Sequence, residues 1–339
     1  MPLPLTRKKI LLAAALLPAL LLVSLAISLT LGPSWILPWE ILSSGPQGQL
    51  AWDVIVRVRL PRVFLGLIAG AALSGAGVAY QAILRNPLAD PYILGISGGA
   101  ALGAVLPLAL AGGASAGWMA LRPATAFLGA ILATLVVFQL SRLRGRMTSY
   151  PMLLVGWVAN SFFFALILFL ETVLDFAELQ GVLFWLVGSL ASPAWSVLAP
   201  VGAGVLAGLL VLFLISGKLN LLSLGEEEAK QLGVAVPFVK VVGILAASLI
   251  TATVVSLSGM IGFVGLMIPH ICRLLLGPDH RILIPAAVFI GASFLVLADG
   301  IARVAFAPAE LPVGVITALV GGPFFLWLYR TRTGGPYFE

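Results

Sequence analysis

Long uninterrupted apolar stretches constrain this chain more than any other feature. Windows of roughly 20 apolar residues, the length a helix needs to cross a bilayer, fall at 10–31, 63–83, 92–111, 122–141, 151–170, 195–216, 238–257, 260–276, 282–303 and 312–330. A closed barrel would show short alternating strands instead. An eleventh stretch, Val182 to Ser192, is too short to cross and reads as a re-entrant or interfacial helix near 182–192. Charged residues make up 9% of the chain, against about 25% in a soluble domain. The expected fold is an all-α polytopic membrane protein, one transmembrane domain over residues 1–339 with ten transmembrane helices.

The placement of basic residues orients those spans. With ten spans and both the N- and C-termini in the cytoplasm, only Arg57, Arg59, Arg62, Arg122 and Arg303 of the 19 Lys and Arg fall outside. Counting 182–192 as a full span would flip everything after it and leave 11 of the 19 outside. The positive-inside tendency favours the first arrangement. Arg7-Lys8-Lys9 before an apolar run resembles a signal peptide, but the run reaches about residue 31 without an evident cleavage site and reads as a retained span.

Against this background the segment 218–236 stands out. Glu226, Glu227 and Glu228 are three of only 13 acidic residues. They open a short helix that Ser223 or Gly225 can cap and Gly233 stops, with the glutamates at its positive end. The orientation puts this loop in the cytoplasm. It reads either as a solvated turn or as a docking helix for a soluble partner.

Several chemistries are missing. No span carries a charge near its middle, and Asp299, toward the outer end of span 9, can pair with Arg303 one turn on. Ion-coupled carriers usually place an acid or a histidine in the membrane. No HExxH, Gly-x-Ser-x-Gly or Walker A pattern occurs. No catalytic residue is therefore assigned, and energy for transport would have to arrive through another subunit. His270-Ile271-Cys272 is a conceivable metal pair, but no carboxylate cluster joins it, and it reads as polar residues at a helix end. Cys272 is the only cysteine, so no disulfide forms within the chain. Glycines four apart (Gly66/Gly70, Gly95/Gly99/Gly103, Gly204/Gly208) read as close helix packing, or as a substrate path. Asn160, inside an apolar run, faces either a packed helix or a pathway. Leu73-Ser74-Gly75 and Leu257-Ser258-Gly259 hint at an inverted repeat.

A set of motifs in order along nearly the whole chain then identifies a family. They are Arg59-Leu60-Pro61-Arg62, Asn86-Pro87-Leu88-Ala89-Asp90-Pro91, Leu94 to Ala100, Leu224-Gly225-Glu226 through Gln231-Leu232-Gly233, Gly262 to Arg273, and Glu310-Leu311-Pro312-Val313-Gly314. Together they resemble the FecCD-type permeases of ABC importers, which take up iron–siderophore complexes, haem or cobalamin. The resemblance implies a homodimer in the bacterial inner membrane, with two ATP-binding cassette subunits below and an external substrate-binding protein above. ATP-Mg would be bound by the ATPase partner, with no cofactor or metal on this chain and no nucleic-acid partner. By the same resemblance Gly225, Glu226, Glu227, Glu228, Gln231, Leu232 and Gly233 form the ATPase coupling loop. Arg59, Arg62 and Arg303 would dock the binding protein, their alternative being headgroup anchors. Asn86, Leu88, Thr148 and Ser149 would form the cytoplasmic gate, with Tyr150-Pro151 an uncommon stiff pair beside it. The competing class is a stand-alone carrier or channel; a membrane-embedded enzyme is disfavoured by the missing catalytic cluster.

Overall fold

The computed structural model describes residues 7–111, 116–143, 146–147, 149–172, 176–190 and 193–332. Among the described residues its regular structure is helical apart from one antiparallel hairpin of two-residue strands, β1 Arg142–Leu143 with β2 Arg146–Met147. α1 (Arg7–Thr30) leads into a short 3-10 helix at Pro38–Leu42, then α2 (Pro46–Trp52), a π-helical stretch Asp53–Arg59, and α3 (Leu60–Ile83). α4 (Ile96–Ala111), α5 (Ala116–Leu140), α6 (Ser149–Glu171), α7 (Phe176–Val187) and α8 (Trp195–Leu214) follow. Two short helices, α9 (Ser216–Leu224) and α10 (Glu226–Gln231), precede α11 (Val236–Ser258), α12 (Val264–Leu276), α13 (His280–Val304) and α14 (Val313–Arg332).

Seven of these helices are long and apolar enough to cross a membrane, and Ile96–Leu110, Val264–Leu276 and Val313–Leu328 are apolar but shorter. Each of the ten overlaps one of the expected apolar windows, seven of them at spanning length. α12 has 13 residues, about 20 Å of helix, so the non-helical residues 260–263 before it supply the rest of that window. The expected helix at 182–192 lies earlier, at Phe176–Val187. Gly188, at φ +82°, ends it, and Ala191 and Ser192 lie outside the described residues. A left-handed glycine stops a helix wherever it falls in an apolar run, so the apolar boundary was the wrong marker.

α3 is the hub, buried along nearly its whole length. Its small residues explain why. A Cβ on Gly70 would collide with the Gly291 carbonyl oxygen of α13, and one on Gly77 with that of Gly265 in α12. Backbones thus touch where side chains would hold them apart. The same holds for Gly99 of α4 against Gly129 of α5. The packing reading of the glycine spacing is met there, whereas Gly204 faces open space. By contrast α1, α5 and α6 turn Leu16, Leu132, Trp157 and Phe169 outward. Exposed apolar helix faces of this length suit a lipid solvent.

Candidate functional site

The acidic loop folds as a capped helix on the core. Gly233, at φ +80°, donates its N–H to the Lys230 carbonyl, and Val234 donates to that of Ala229. This double closure satisfies carbonyls that a helix end leaves open. Ala229 and Val234 are buried beneath it. At the other end the Glu228 carboxylate lies against Gly225, where a Cβ would collide with it. Glu226 is half-buried and pairs with Lys240, which is buried in α11. Glu227 pairs with Lys230 at 2.6 Å on the surface. What remains outward is a mixed face: Glu227, Glu228 and Gln231 beside Leu224 at 63% and Leu232 at 59% exposure.

A second tie runs from α9. Asn220 donates to Asp279 Oδ1 at 2.7 Å, while its carbonyl oxygen accepts the His280 N–H at 2.8 Å and faces His280 Nδ1 at 2.7 Å. Asp279 also caps α13 by accepting the Arg281 N–H at 3.0 Å. Burial alone would raise the Asp279 carboxyl. The donors from Asn220 and Arg281, with the Arg281 charge, hold it below the usual carboxylate range.

The expected gate loop lies at the same end, after α3. Asn86 accepts the Leu88 N–H at 2.9 Å through its side chain, and Arg85 before it takes φ +50°. Leu88 is exposed. Gln81, buried at the end of α3, donates to the carbonyls of Ala89 at 3.2 Å and Leu266 at 3.3 Å, and Arg273 donates to its oxygen. Gln81 and Arg273 thus join the loop to α12. Asp90 accepts the Tyr92 N–H at 2.8 Å. Desolvation pushes its carboxyl up to about 6 despite that donor. Ser149 opens α6; Thr148 lies outside the described residues. Asn160 of α6 accepts from Gly98 N–H at 3.1 Å and Ser97 Oγ at 3.2 Å and donates to the Tyr92 carbonyl at 3.1 Å. It satisfies the open first turn of α4 from a neighbouring helix.

The arginines lie at the far end of α13. Arg59, Arg62 and Arg303 are 3%, 5% and 3% exposed, so they are packed among the helices of this chain. Arg62 pairs with Asp299 at 2.8 Å and Glu310 at 2.6 Å, and Arg303 pairs with Asp299 at 3.1 Å. Arg303 also donates to the Ser28 hydroxyl at 2.7 Å, tying α1 to α13. Arg59 donates to the carbonyls of Leu29, Thr30, Ser34 and Ile36, filling the bend after α1. Burial of an arginine is tolerated only when its donors find partners, and these find most of them inside the chain. Only Glu310 of this cluster is half-exposed. Sequence spacing gave the Asp299–Arg303 pair but missed Arg62–Asp299 and Glu226–Lys240. A lysine in an apolar run was the available signal for the latter. Among the described residues no group of three His, Cys, Asp or Glu could hold a metal ion, and Cys272 is buried.

Comparison with known proteins gives a consistent set of matches. Residues 20–331 match the FecCD transport family. An uncharacterized ABC transporter permease protein, YvrB of Bacillus subtilis, is 41% identical over 300 residues, covering 86% of this chain and 83% of its own. The hemin transport system permease protein HmuU of Yersinia pestis is 40% identical, with 82% and 83% covered. The vitamin B12 import system permease protein BtuC of Klebsiella pneumoniae is 40% identical over 315 residues, with 93% and 92% covered. Among solved structures, one described as an inward-facing metal-chelate type ABC transporter superposes with a TM-score of 0.78 at 34% identity, covering 93% of this chain and 97% of that one.

Proposed function

Because the chain belongs to the FecCD transport family, we propose that it is the membrane-spanning subunit of an ATP-driven importer of a large metal chelate, of the iron–siderophore, haem or cobalamin class. Relatives named for hemin and vitamin B12 import support that cargo class. In this reading the ten apolar helices all cross the bacterial inner membrane with both chain ends in the cytoplasm. Two copies form the pathway, two ATP-binding cassette subunits carry ATP-Mg, and an external binding protein delivers cargo.

The observation that carries the reading is the outward face of α10. Its acidic side chains lie between exposed Leu224, the last residue of α9, and exposed Leu232, just past the end of α10, on a helix fixed from beneath. A solvated turn has no use for two exposed leucines on a rigid frame, whereas a protein contact combines an apolar centre with a polar rim. Residues 218–236 are therefore assigned as the ATPase coupling loop, with Gly225 and Gly233 shaping it. Asn86 and Leu88, with Thr148 and Ser149, are assigned to the inner gate. Docking of the binding protein narrows to Arg62 through its half-exposed partner Glu310, because Arg59 and Arg303 direct their donors into the chain.

The test is capture of the cognate ATPase by the permease in detergent. Replacing Glu226, Glu227 and Glu228 by Lys lowers capture at least tenfold while membrane insertion is unchanged. Wild-type capture by the triple variant would refute the assignment.

A further inference from the structure

α9 and α10 are held by polar ties of two kinds. Glu226–Lys240 joins α10 to α11, the helix that follows it. Asn220 instead reaches 59 and 60 residues along the chain, to the first residues of α13. α13 is one continuous helix of 25 residues, about 37 Å long. Its other end carries Asp299 and Arg303, bonded to Arg62 of α3 and Ser28 of α1. Midway it lies backbone to backbone on α3 at Gly291 and Gly70. Asn220 thus joins the acidic loop to the helix that touches both ends of the molecule.

The chemistry at this point admits little substitution. The amide must donate a hydrogen bond to a carboxylate on one side and accept from His280 on the other. A carboxylate at 220 would face Asp279 with like charge, and an apolar side chain would leave the Asp279 and His280 groups without their partner. Gly217, one turn earlier, faces the Arg281 guanidinium, which an added Cβ would approach to 3.1 Å. The start of α13 is therefore seated on α9 along one face.

We propose that Asn220 is a positioning residue of the transport cycle, passing displacement of the acidic helix to α13. The proposal rests on the reading of α10 as the ATPase seat. When an ATPase moves α10, α9 moves with it, and the Asn220 amide carries the start of α13 along. α13, continuous through Pro285, then conveys the shift toward the arginine cluster.

Hydrogen–deuterium exchange on the permease–ATPase complex in nanodiscs, with and without ATP, tests this without a transported ligand. In the wild-type complex ATP changes exchange of the 280–284 amides at least threefold. In Asn220→Ala that response disappears, while the response of residues 226–231 to the ATPase persists. A merely structural Asn220 would raise exchange at 280–284 equally with and without ATP and leave the response intact; that result, or no wild-type response at 280–284, overturns the proposal. Absence of any change at 226–231 on adding the ATPase would instead refute the seat itself. If the alanine variant does not assemble, Asn220→Ser replaces it: one shorter hydroxyl cannot reproduce the separate ties of the amide to Asp279 and His280, and the same loss of response is expected.

Discussion

The two charge concentrations of this chain sit at opposite ends of α13 and are built in opposite ways. At one end three glutamates lead a six-residue helix that lies between exposed Leu224 and exposed Leu232. At the other, three arginines lie within the packed helices and are met by Asp299, Glu310, a hydroxyl and backbone carbonyls. Both are charged segments at the ends of apolar runs, and both suggest docking from sequence. Burial separates them. A charge left in water costs little and can serve a partner, whereas a buried charge must be satisfied on the spot and serves the fold.

The largest expected effect lies in the buried cluster. Asp299→Ala leaves Arg62 and Arg303 without their shared carboxylate and should cost about 3–5 kcal/mol, read as a fall in the thermal midpoint of the permease in nanodiscs. Arg57→Glu breaks an exposed pair with Asp53 and should cost under about 1 kcal/mol. Equal losses for the two would erase the distinction drawn here. Next comes the apolar part of the acidic face. Leu224→Ser with Leu232→Ser should weaken ATPase capture about tenfold, equivalent to roughly 1.4 kcal/mol, with the thermal midpoint unchanged. A lowered midpoint with normal capture would make those leucines structural.

Two smaller effects sharpen the picture of the loops. Gly233→Ala forces a side chain into the left-handed region and should destabilise the end of α10 by about 1 kcal/mol, seen as faster amide exchange over 226–234. The remaining prediction concerns Asp90, whose carboxyl is raised to about 6 by desolvation. Its folded form holds a proton that the unfolded form, near about 3.9, releases. The folded loop therefore binds more protons between those values, and its stability falls as pH rises through that window to about 6. Exchange protection over 86–95, corrected for intrinsic rates, should be greater at about pH 5 than at about pH 7. Asp90→Asn should flatten that dependence.

These residues also show what a sequence can disclose. The apolar helices were legible because a bilayer demands a minimum run of apolar residues, a constraint carried within each segment. The acidic helix was legible because its cap, charge and stop lie close together, between Gly225 and Gly233. α7 was misplaced because Gly188 ends it within an apolar run. The burial of Arg62 was not legible because its partner Asp299 lies 237 residues away, and only the glycine contacts between α3 and α13 bring the two together. Asn160 allowed two readings for the same reason, since the α4 turn that it caps lies on another helix.

Cross-linking from the acidic face tests the central claim most directly. With Cys272 replaced by Ala, a benzophenone carried on Leu232→Cys is photolysed in the assembled complex. A covalent adduct with the ATPase subunit from position 232, lost when Glu226, Glu227 and Glu228 are reversed, is the predicted result. An assembled complex that gives no ATPase adduct from 232, nor from the neighbouring exposed positions 224 and 228, would contradict the account.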